Sequence, residues 1–372
     1  MDARRTPLNA TWILFAAAFL LSLGLTPLFR KIALRTQFLD NPAGQLKKHT
    51  APVPYLGGLA VCFAFALSTL GAVILVAPAD LNTLLALLAG GGVVALLGLW
   101  DDLFGLGPGF KFLVQVLAAL LLVGFGVKME FLPSQPVLGI VLTVLWIVAV
   151  TNAVNLVDIM DGLAGSVALV ACVGFILVPL PGEQTYVNLA AAALGGSLLG
   201  FLPFNWRPAR IYLGDTGALF TGYILAGVAL GERYTQLNTV GLFAPLLILG
   251  VPLYDTSLVT ALRLMKGRSP FKGSNDHLAL RLRALGLSVP QVAALLAGTG
   301  VVLAFSSYLL IRLSEKRALF LMFLLGSMAM VLSFLVSQIT METPTTGHGT
   351  PRRLFPDKAP RPPKTKRRPK GR

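Results

Sequence analysis

The feature that most constrains this chain is the recurrence of apolar runs long enough to cross a hydrocarbon core of ~30 Å. They lie near 11–29, 56–76, 83–100, 112–127, 137–151, 163–180, 186–203, 217–231, 239–261, 291–311 and 318–338. The fourth to sixth are interrupted by Gly, Pro or Asn. Only 13% of residues are charged and 55% are hydrophobic, whereas a soluble domain carries about 25% charge. Too little polar surface exists to cover such a chain in water, so a soluble fold is excluded. The expectation is an all-α polytopic integral membrane protein with eleven transmembrane helices. Its first run follows Arg4 and Arg5 like a secretory signal, but it lacks a small-x-small site and further spans follow, so it reads as an uncleaved helix. Cys62 and Cys172 both fall in apolar runs, which argues against a disulfide framework or a thiolate metal site. Beyond Glu342 the composition turns to Pro, Lys and Arg. The chain therefore divides into a transmembrane domain, 1–342, and a basic tail, 343–372, that cannot bury a core and is expected to be disordered.

Lysine and arginine set the orientation. The odd-numbered loops hold fourteen, namely Arg30, Lys31, Arg35, Lys47, Lys48, Lys111, Arg207, Arg210, Arg263, Lys266, Arg268, Lys272, Arg281 and Arg283, and the tail holds ten more. The N-terminus and even-numbered loops hold seven. Positive charge is retained on the cytosolic side, so the odd loops and tail face the cytosol and the N-terminus lies outside, with Arg4 and Arg5 arguing weakly the other way. The acids follow the same division. External segments carry Asp2, Asp80, Glu130, Glu183, Glu232 and Glu315, whereas the cytosolic loops between spans carry only aspartate: Asp40, Asp101, Asp102, Asp158, Asp161, Asp215 and Asp276, with Asp255 near the cytosolic end of the ninth span. A short, stiff carboxylate suits metal coordination.

Four constellations carry chemistry. Trp100-Asp101-Asp102 ends the third span. Adjacent acids there oppose the helix dipole and repel one another, so they form either a solvated terminus or a site that shares a cation. Asn152, Asn155, Asp158 and Asp161 recur at every third position, which on a helix forms one slowly drifting polar stripe. Facing lipid it would be very costly, so it lines either a site or an ion pathway. Asn205-Trp-Arg207-Pro208-Ala-Arg210-Ile-Tyr212 leads into Gly214-Asp215-Thr216-Gly217, either a capped turn or a helix start whose free N–H groups can approach a phosphate or its metal. The ninth loop, with Arg263, Lys266, Arg268, Asp276, His277 and Arg281, reads as an interfacial helix on anionic lipid or as an anion-binding arm, and the two are compatible. The first loop adds Lys47-Lys48-His49 and Pro52-Val-Pro54. These sites together suggest a divalent metal and a phosphorylated substrate; no zinc-spaced His/Cys set, Walker loop or serine elbow is present.

At these motifs the chain resembles the polyprenyl-phosphate N-acetylhexosamine-1-phosphate transferase superfamily, whose members begin peptidoglycan, teichoic-acid and O-antigen synthesis. The similarity runs from about Arg30 to Leu287 through Lys47/His49, Pro52-Val-Pro54, Gly57-Gly58, Asp101-Asp102, Lys111, Gln115, the Asn152-to-Gly162 stripe, Asn205 to Gly217, and Asp255 to His277. It implies transfer of a sugar-1-phosphate, best N-acetylglucosamine-1-phosphate, from a UDP-sugar to a polyprenyl phosphate such as undecaprenyl phosphate. UMP would be released with Mg²⁺ or Mn²⁺, at the start of cell-envelope glycan synthesis. It also implies a cytosol-facing cleft in the plasma membrane, membrane lipids and often a second copy as partners, and no nucleic acid.

Carried over by position, the resemblance makes Asp215 the leading metal ligand with Asp102 beside it. Asp101 becomes a base or nucleophile, Asp158 and Asn155 line the catalytic centre, and His277 acts with them. Asp161, Asn205 and Tyr212 would meet the uridine; Lys47, His49, Lys111, Asn152, Arg268 and Arg281 complete the substrate contacts. Two departures stand out: Ile159 replaces the family's first Gly in Asp-Gly-x-Asp-Gly, and Ala279 and Leu280 replace later histidines of the ninth loop. The Lys-His and Pro-Val-Pro pattern is closer to the teichoic-acid and O-antigen initiators than to the muramoyl-pentapeptide enzyme. An ion- or proton-coupled transporter is the alternative, but it calls for acids near the bilayer midplane with access from both sides. A CDP-alcohol-type head-group transferase lacks its signature here.

Overall fold

The computed structural model describes residues 8–40, 52–76, 81–129, 135–178, 185–231, 234–235, 237–269 and 276–339. Contacts divide the chain into Met1–Thr340 and Met341–Arg372; the expected tail lies outside the described residues. The elements are α1 Leu8–Arg35, β1 Leu39–Asp40, β2 Val53–Pro54, α2 Gly57–Val76, α3 Leu81–Phe104, α4 Pro108–Gly124, α5 Pro136–Val157, α6 Leu163–Leu177, α7 Thr185–Asn205 and α8 Gly214–Ala229. A 3₁₀ turn at Thr239–Phe243 then leads into α9 Ala244–Ile248, α10 Gly250–Met265, α11 Leu278–Ala284, α12 Val289–Arg312 and α13 Glu315–Ser337. β1 and β2 pair antiparallel and close the base of the first loop, whose Lys47 and His49 lie outside the described residues.

Helices dominate because a bilayer offers no water to backbone amides, which must bond within their own segment. Proline in the first turn starts α4, α5 and α12, where a missing N–H costs nothing. A capping box sharpens the start of α12: Ser288 Oγ accepts from Gln291 N, and Gln291 Oε1 accepts from Ser288 N at 2.7 Å.

Each of the eleven expected segments is helical, yet they are not eleven equal crossings. Among the described residues seven helices are long and apolar enough to cross a membrane, or up to eight if a bent pair counts as one. That pair is the ninth segment, which turns by 81° between Ile248 and Gly250. α4, α6 and α8 have only 17, 15 and 16 residues, short of the ~20 that a crossing needs. The protein is thus an all-α, multi-pass membrane protein.

α7 and α8 form the centre. Every residue of α8 except Asp215 is buried, and small residues let its neighbours come close. A Cβ on Gly98 of α3 would sit 2.5 Å from both Thr216 Cα and Asp215 O, and one on Gly58 of α2 would sit 2.6 Å from Gly217 Cα. Polar ties reinforce the packing: Tyr223 Oη donates to Ala118 O at 2.9 Å, joining α8 to α4, and Trp146 Nε1 donates to Ala226 O at 3.2 Å, joining α5 to α8. α13 is the opposite case, with Leu319, Phe320, Phe323 and Phe334 exposed, as a lipid-facing helix requires.

Gly98→Val must push α3 away from α8. It is expected to lower stability by about 1–3 kcal/mol or more, read as a lowered melting temperature of the detergent-solubilised protein, whereas Gly92→Ala, with nothing within 4 Å, leaves it unchanged.

Candidate active site

One end of the bundle gathers the last turns of α3, α5 and α7 and the first turns of α4 and α8. Asp102, on the last turn of α3, reaches the start of α8. Its Oδ1 accepts from Asp215 N at 2.9 Å, and its Oδ2 accepts from Thr216 N at 3.0 Å and Thr216 Oγ1 at 2.7 Å. An acid disfavoured by its own helix's C-terminal dipole is thereby placed on the favourable N-terminal dipole of another. Gly214, at φ +69°, makes the turn; a Cβ there would press on Asp102 Oδ2 at 2.8 Å.

The cap points the Asp215 side chain outward, toward Asp101 and Lys111. Lys111 Nζ bonds Asp101 Oδ2 and lies 2.8 Å from Asp215 Oδ2. Asp101 Oδ1 accepts from Leu106 N at 2.6 Å. The Asp101 side chain is 9% exposed, Asp215 31% and Lys111 23%, so the pair opens to solvent on the Asp215 side.

The expected polar stripe is split by the end of its helix. α5 stops at Val157, so Asn152 and Asn155 keep helical spacing while Asp158 and Asp161 lie in the turn to α6. Asn152 pairs with Gln115 of α4: its Nδ2 donates to Gln115 Oε1 at 2.5 Å and to Val148 O at 2.7 Å. Asn155 is half-buried on the last turn. Asp161 Oδ2 accepts from Ala209 N and from Arg207 Nη1, both at 3.2 Å. Asn205 is buried and braces the same turn, accepting from Gly162 N at 3.0 Å and donating to Ile211 O at 3.0 Å. Tyr212 is joined to the first loop, since its N–H donates to Pro54 O at 2.8 Å and its ring lies 5.9 Å from that of Tyr55. Burial first, then Asp161 and Asp40, push the Tyr212 hydroxyl up to about 12, so it stays a protonated donor.

The ninth-loop residues form a second group. His277 and Asp255 are both buried and their Nδ1 and Oδ2 lie 2.7 Å apart, while Leu278 N donates to Asp255 Oδ1 at 2.6 Å. A carboxylate only accepts, so in this contact Nδ1 donates to Asp255. Sequence reading leaves Asp255 without a role; its signal is a lone acid inside an apolar span. This group adjoins the first through one small apolar gap lined by Val157, Ile159, Leu163, Leu278, Ala279 and Asp255, so the two departures from the family pattern meet at one place. Arg281, expected at a phosphate, is 1% exposed. Its Nη1 donates to Val336 O and Ile339 O at 2.9 Å and its Nη2 to Asp276 Oδ1 at 2.8 Å, so the guanidinium closes the end of α13. Arg268 is exposed.

Among the described residues no group of three or more His, Cys, Asp or Glu could by itself hold a metal. Magnesium, however, is commonly held by one or two carboxylates and completed by water and substrate phosphates. Asp101 and Asp215 fit that pattern, because they already converge on a single positive charge. Asp101, Asp102, Asp158, Asp161 and Asp215 sit at one end of the helices, which disfavours an ion pathway through the bilayer.

Removal from water, with Asp215, Asp102 and Asp161 nearby, pushes the Asp158 carboxyl from 3.8 up to about 8. Between those values the folded protein keeps a proton that the unfolded chain releases, so stability falls as pH rises through that window. Asp158→Asn removes the loss. In metal-free detergent solution its melting-temperature advantage over wild type is expected to grow from about pH 4 to pH 8 and then level off; an advantage that does not vary with pH would show that the carboxyl titrates normally.

Residues 84–232 match the model of glycosyl transferase family 4, a stretch that holds Asp101, Lys111, Asp158, Asp161 and Asp215. The chain is 30% identical over 322 residues to a Bacillus subtilis (strain 168) protein named a probable undecaprenyl-phosphate N-acetylglucosaminyl 1-phosphate transferase, covering 84% of this chain and 88% of the relative. It is 27% identical over 306 residues to the undecaprenyl-phosphate alpha-N-acetylglucosaminyl 1-phosphate transferase of Salmonella typhi, covering 76% and 80%. It is 36% identical over 236 residues to the phospho-N-acetylmuramoyl-pentapeptide-transferase of Limosilactobacillus fermentum, covering 58% and 71%. The longer alignments are thus to the N-acetylglucosaminyl type. With similarity along most of its length and the clustered acids inside the matched stretch, the chain belongs to glycosyl transferase family 4.

Proposed function

We propose that this protein transfers a sugar-1-phosphate, N-acetylglucosamine-1-phosphate first, from a UDP-sugar to a polyprenyl phosphate and releases UMP. The observation that carries the reading is the Asp101–Lys111–Asp215 cluster at the helix ends, within a chain related over most of its length to such transferases. The lipid phosphate oxygen attacks the sugar-bearing phosphorus of the donor, the bond to the UMP oxygen breaks, and the sugar ends on a lipid diphosphate. Such a transfer needs in-line placement and charge neutralisation more than a special nucleophile. Asp215 and Asp101 would hold a magnesium or manganese ion, which when bound neutralises phosphate charge.

The remaining residues bind and orient. Asp102 sets Asp215 through the α8 cap. Asp161, Asn205 and Tyr212 shape the nucleoside end, held by the Gly162 and Ala209 amides. Asp255 orients His277, whose Nε2 serves a phosphate oxygen. The site lies at the cytosolic edge of the plasma membrane, where the lipid phosphate arrives sideways within the bilayer and the soluble donor arrives from water; the Lys and Arg bias supports this orientation.

Purified protein in nanodiscs with polyprenyl phosphate, Mg²⁺ and a panel of UDP-sugars is expected to release UMP, most rapidly with UDP-N-acetylglucosamine. EDTA abolishes release and added Mg²⁺ or Mn²⁺ restores it. Asp215→Ala is expected to lower kcat on the order of 10²-fold or more. Folded protein that yields no UMP from any donor overturns the reading.

A further inference from the structure

We infer that Lys111 is the resting counter-ion of the Asp101–Asp215 pair and that a divalent cation takes its place, so that cation binding and release of the Lys111 ammonium toward phosphate are one event. Two carboxylates that converge on one ammonium repel one another unless a positive charge lies between them. Lys111 supplies it: among the described residues it is the cation in ion-pair contact with either acid, and it contacts both. Asp102 does not dilute the arrangement, because its oxygens are engaged by the α8 amides and Thr216. The point where the two carboxylates converge is therefore filled by an ammonium, and it cannot hold an ammonium and a divalent ion together.

The lysine is built to leave. Lys111 lies in the first turn of α4, its ammonium ends a flexible four-carbon stem, and its charge is held by these two ion pairs on a side open to solvent. Release needs side-chain rotation and no shift of α4. The freed ammonium carries three donors and stands at the same edge of the cluster, where a phosphate bound to the new cation would present its oxygens. The last step rests on the transferase reading; the exchange itself rests only on the contacts of Lys111.

The test uses full-length protein without substrates and Mn²⁺ as the probe, with free Mn²⁺ read by electron paramagnetic resonance. Lys111→Met is expected to bind Mn²⁺ about tenfold tighter than wild type or more, because the competing charge is gone. In wild type, acetylation of Lys111 by a water-soluble reagent, followed by peptide mass spectrometry, is expected to speed up severalfold on adding saturating Mg²⁺. The second measurement needs no variant and decides the matter if Lys111→Met does not fold. Unchanged or weaker Mn²⁺ binding in folded Lys111→Met, or acetylation indifferent to Mg²⁺, overturns the exchange. UMP release is measured on the same wild-type preparation. A wild type that binds Mn²⁺ by exchange but turns over no UDP-sugar overturns the transferase reading alone; an active wild type without exchange overturns only this inference.

Discussion

The Asp102 carboxylate at the start of α8 is the contact from which the rest of the site follows. It takes two backbone amides and a hydroxyl, and charge-assisted bonds of this kind are about twice as strong as neutral ones. They form only because Gly98 lets α3 come against the Asp215–Thr216 backbone. Once α3 and α8 are locked, Asp101 and Asp215 must face each other, and Lys111, one short loop after Asp101, is in reach of both. The order of dependence runs from a glycine contact to a helix cap to a charged cluster.

The same logic places charge at helix ends throughout this face. Asp161 receives the Ala209 amide, Asn205 receives the Gly162 amide, and Arg281 gives its donors to the last carbonyls of α13. Gly162 caps α6 and Val336 lies in the last turn of α13, so Asn205 and Arg281 meet backbone groups that a helix leaves unpaired, while Asp161 ties down the connection to α8. In a membrane protein this is the economical location for polar groups, because the apolar depth of the bilayer is avoided while the site stays within reach of a lipid head group. Asp255 is the exception, an acid on α10 that is buried and matched by His277 and the Leu278 amide.

Ile159 and Ala279 are two departures from the family's motifs that the fold brings side by side. One is larger than the glycine of the family pattern and the other smaller than the histidine, and both line the same small gap between the Asp158 turn and α11. Ile159 is 36% exposed, so its extra bulk reaches the surface of the turn, whereas Ala279 is buried. The Asp255–His277 pair next to them is intact.

Sequence alone determined the membrane class and the run of apolar helices, because hydrophobic length is a property of local stretches. The resemblance also singled out Asp101, Asp215 and Lys111 as site residues, with Lys111 placed on the substrate; the ion pairs that join it to both acids come from the structure. The resemblance set Asp102 beside Asp215 at the metal and made Asp101 the base or nucleophile; the packing of α3 on α8 instead makes Asp102 the cap of α8 and leaves Asp101 facing Lys111. Nor could sequence show that the Asn152-to-Asp161 stripe outlasts its helix, since a repeat of three continues as well through a turn as through an α-helix. Asn152 with Gln115, Asp255 with His277 and Arg281 with Val336 were decided by tertiary structure for one reason. Their partners are 37, 22 and 55 residues away, and no local pattern encodes a meeting at that distance.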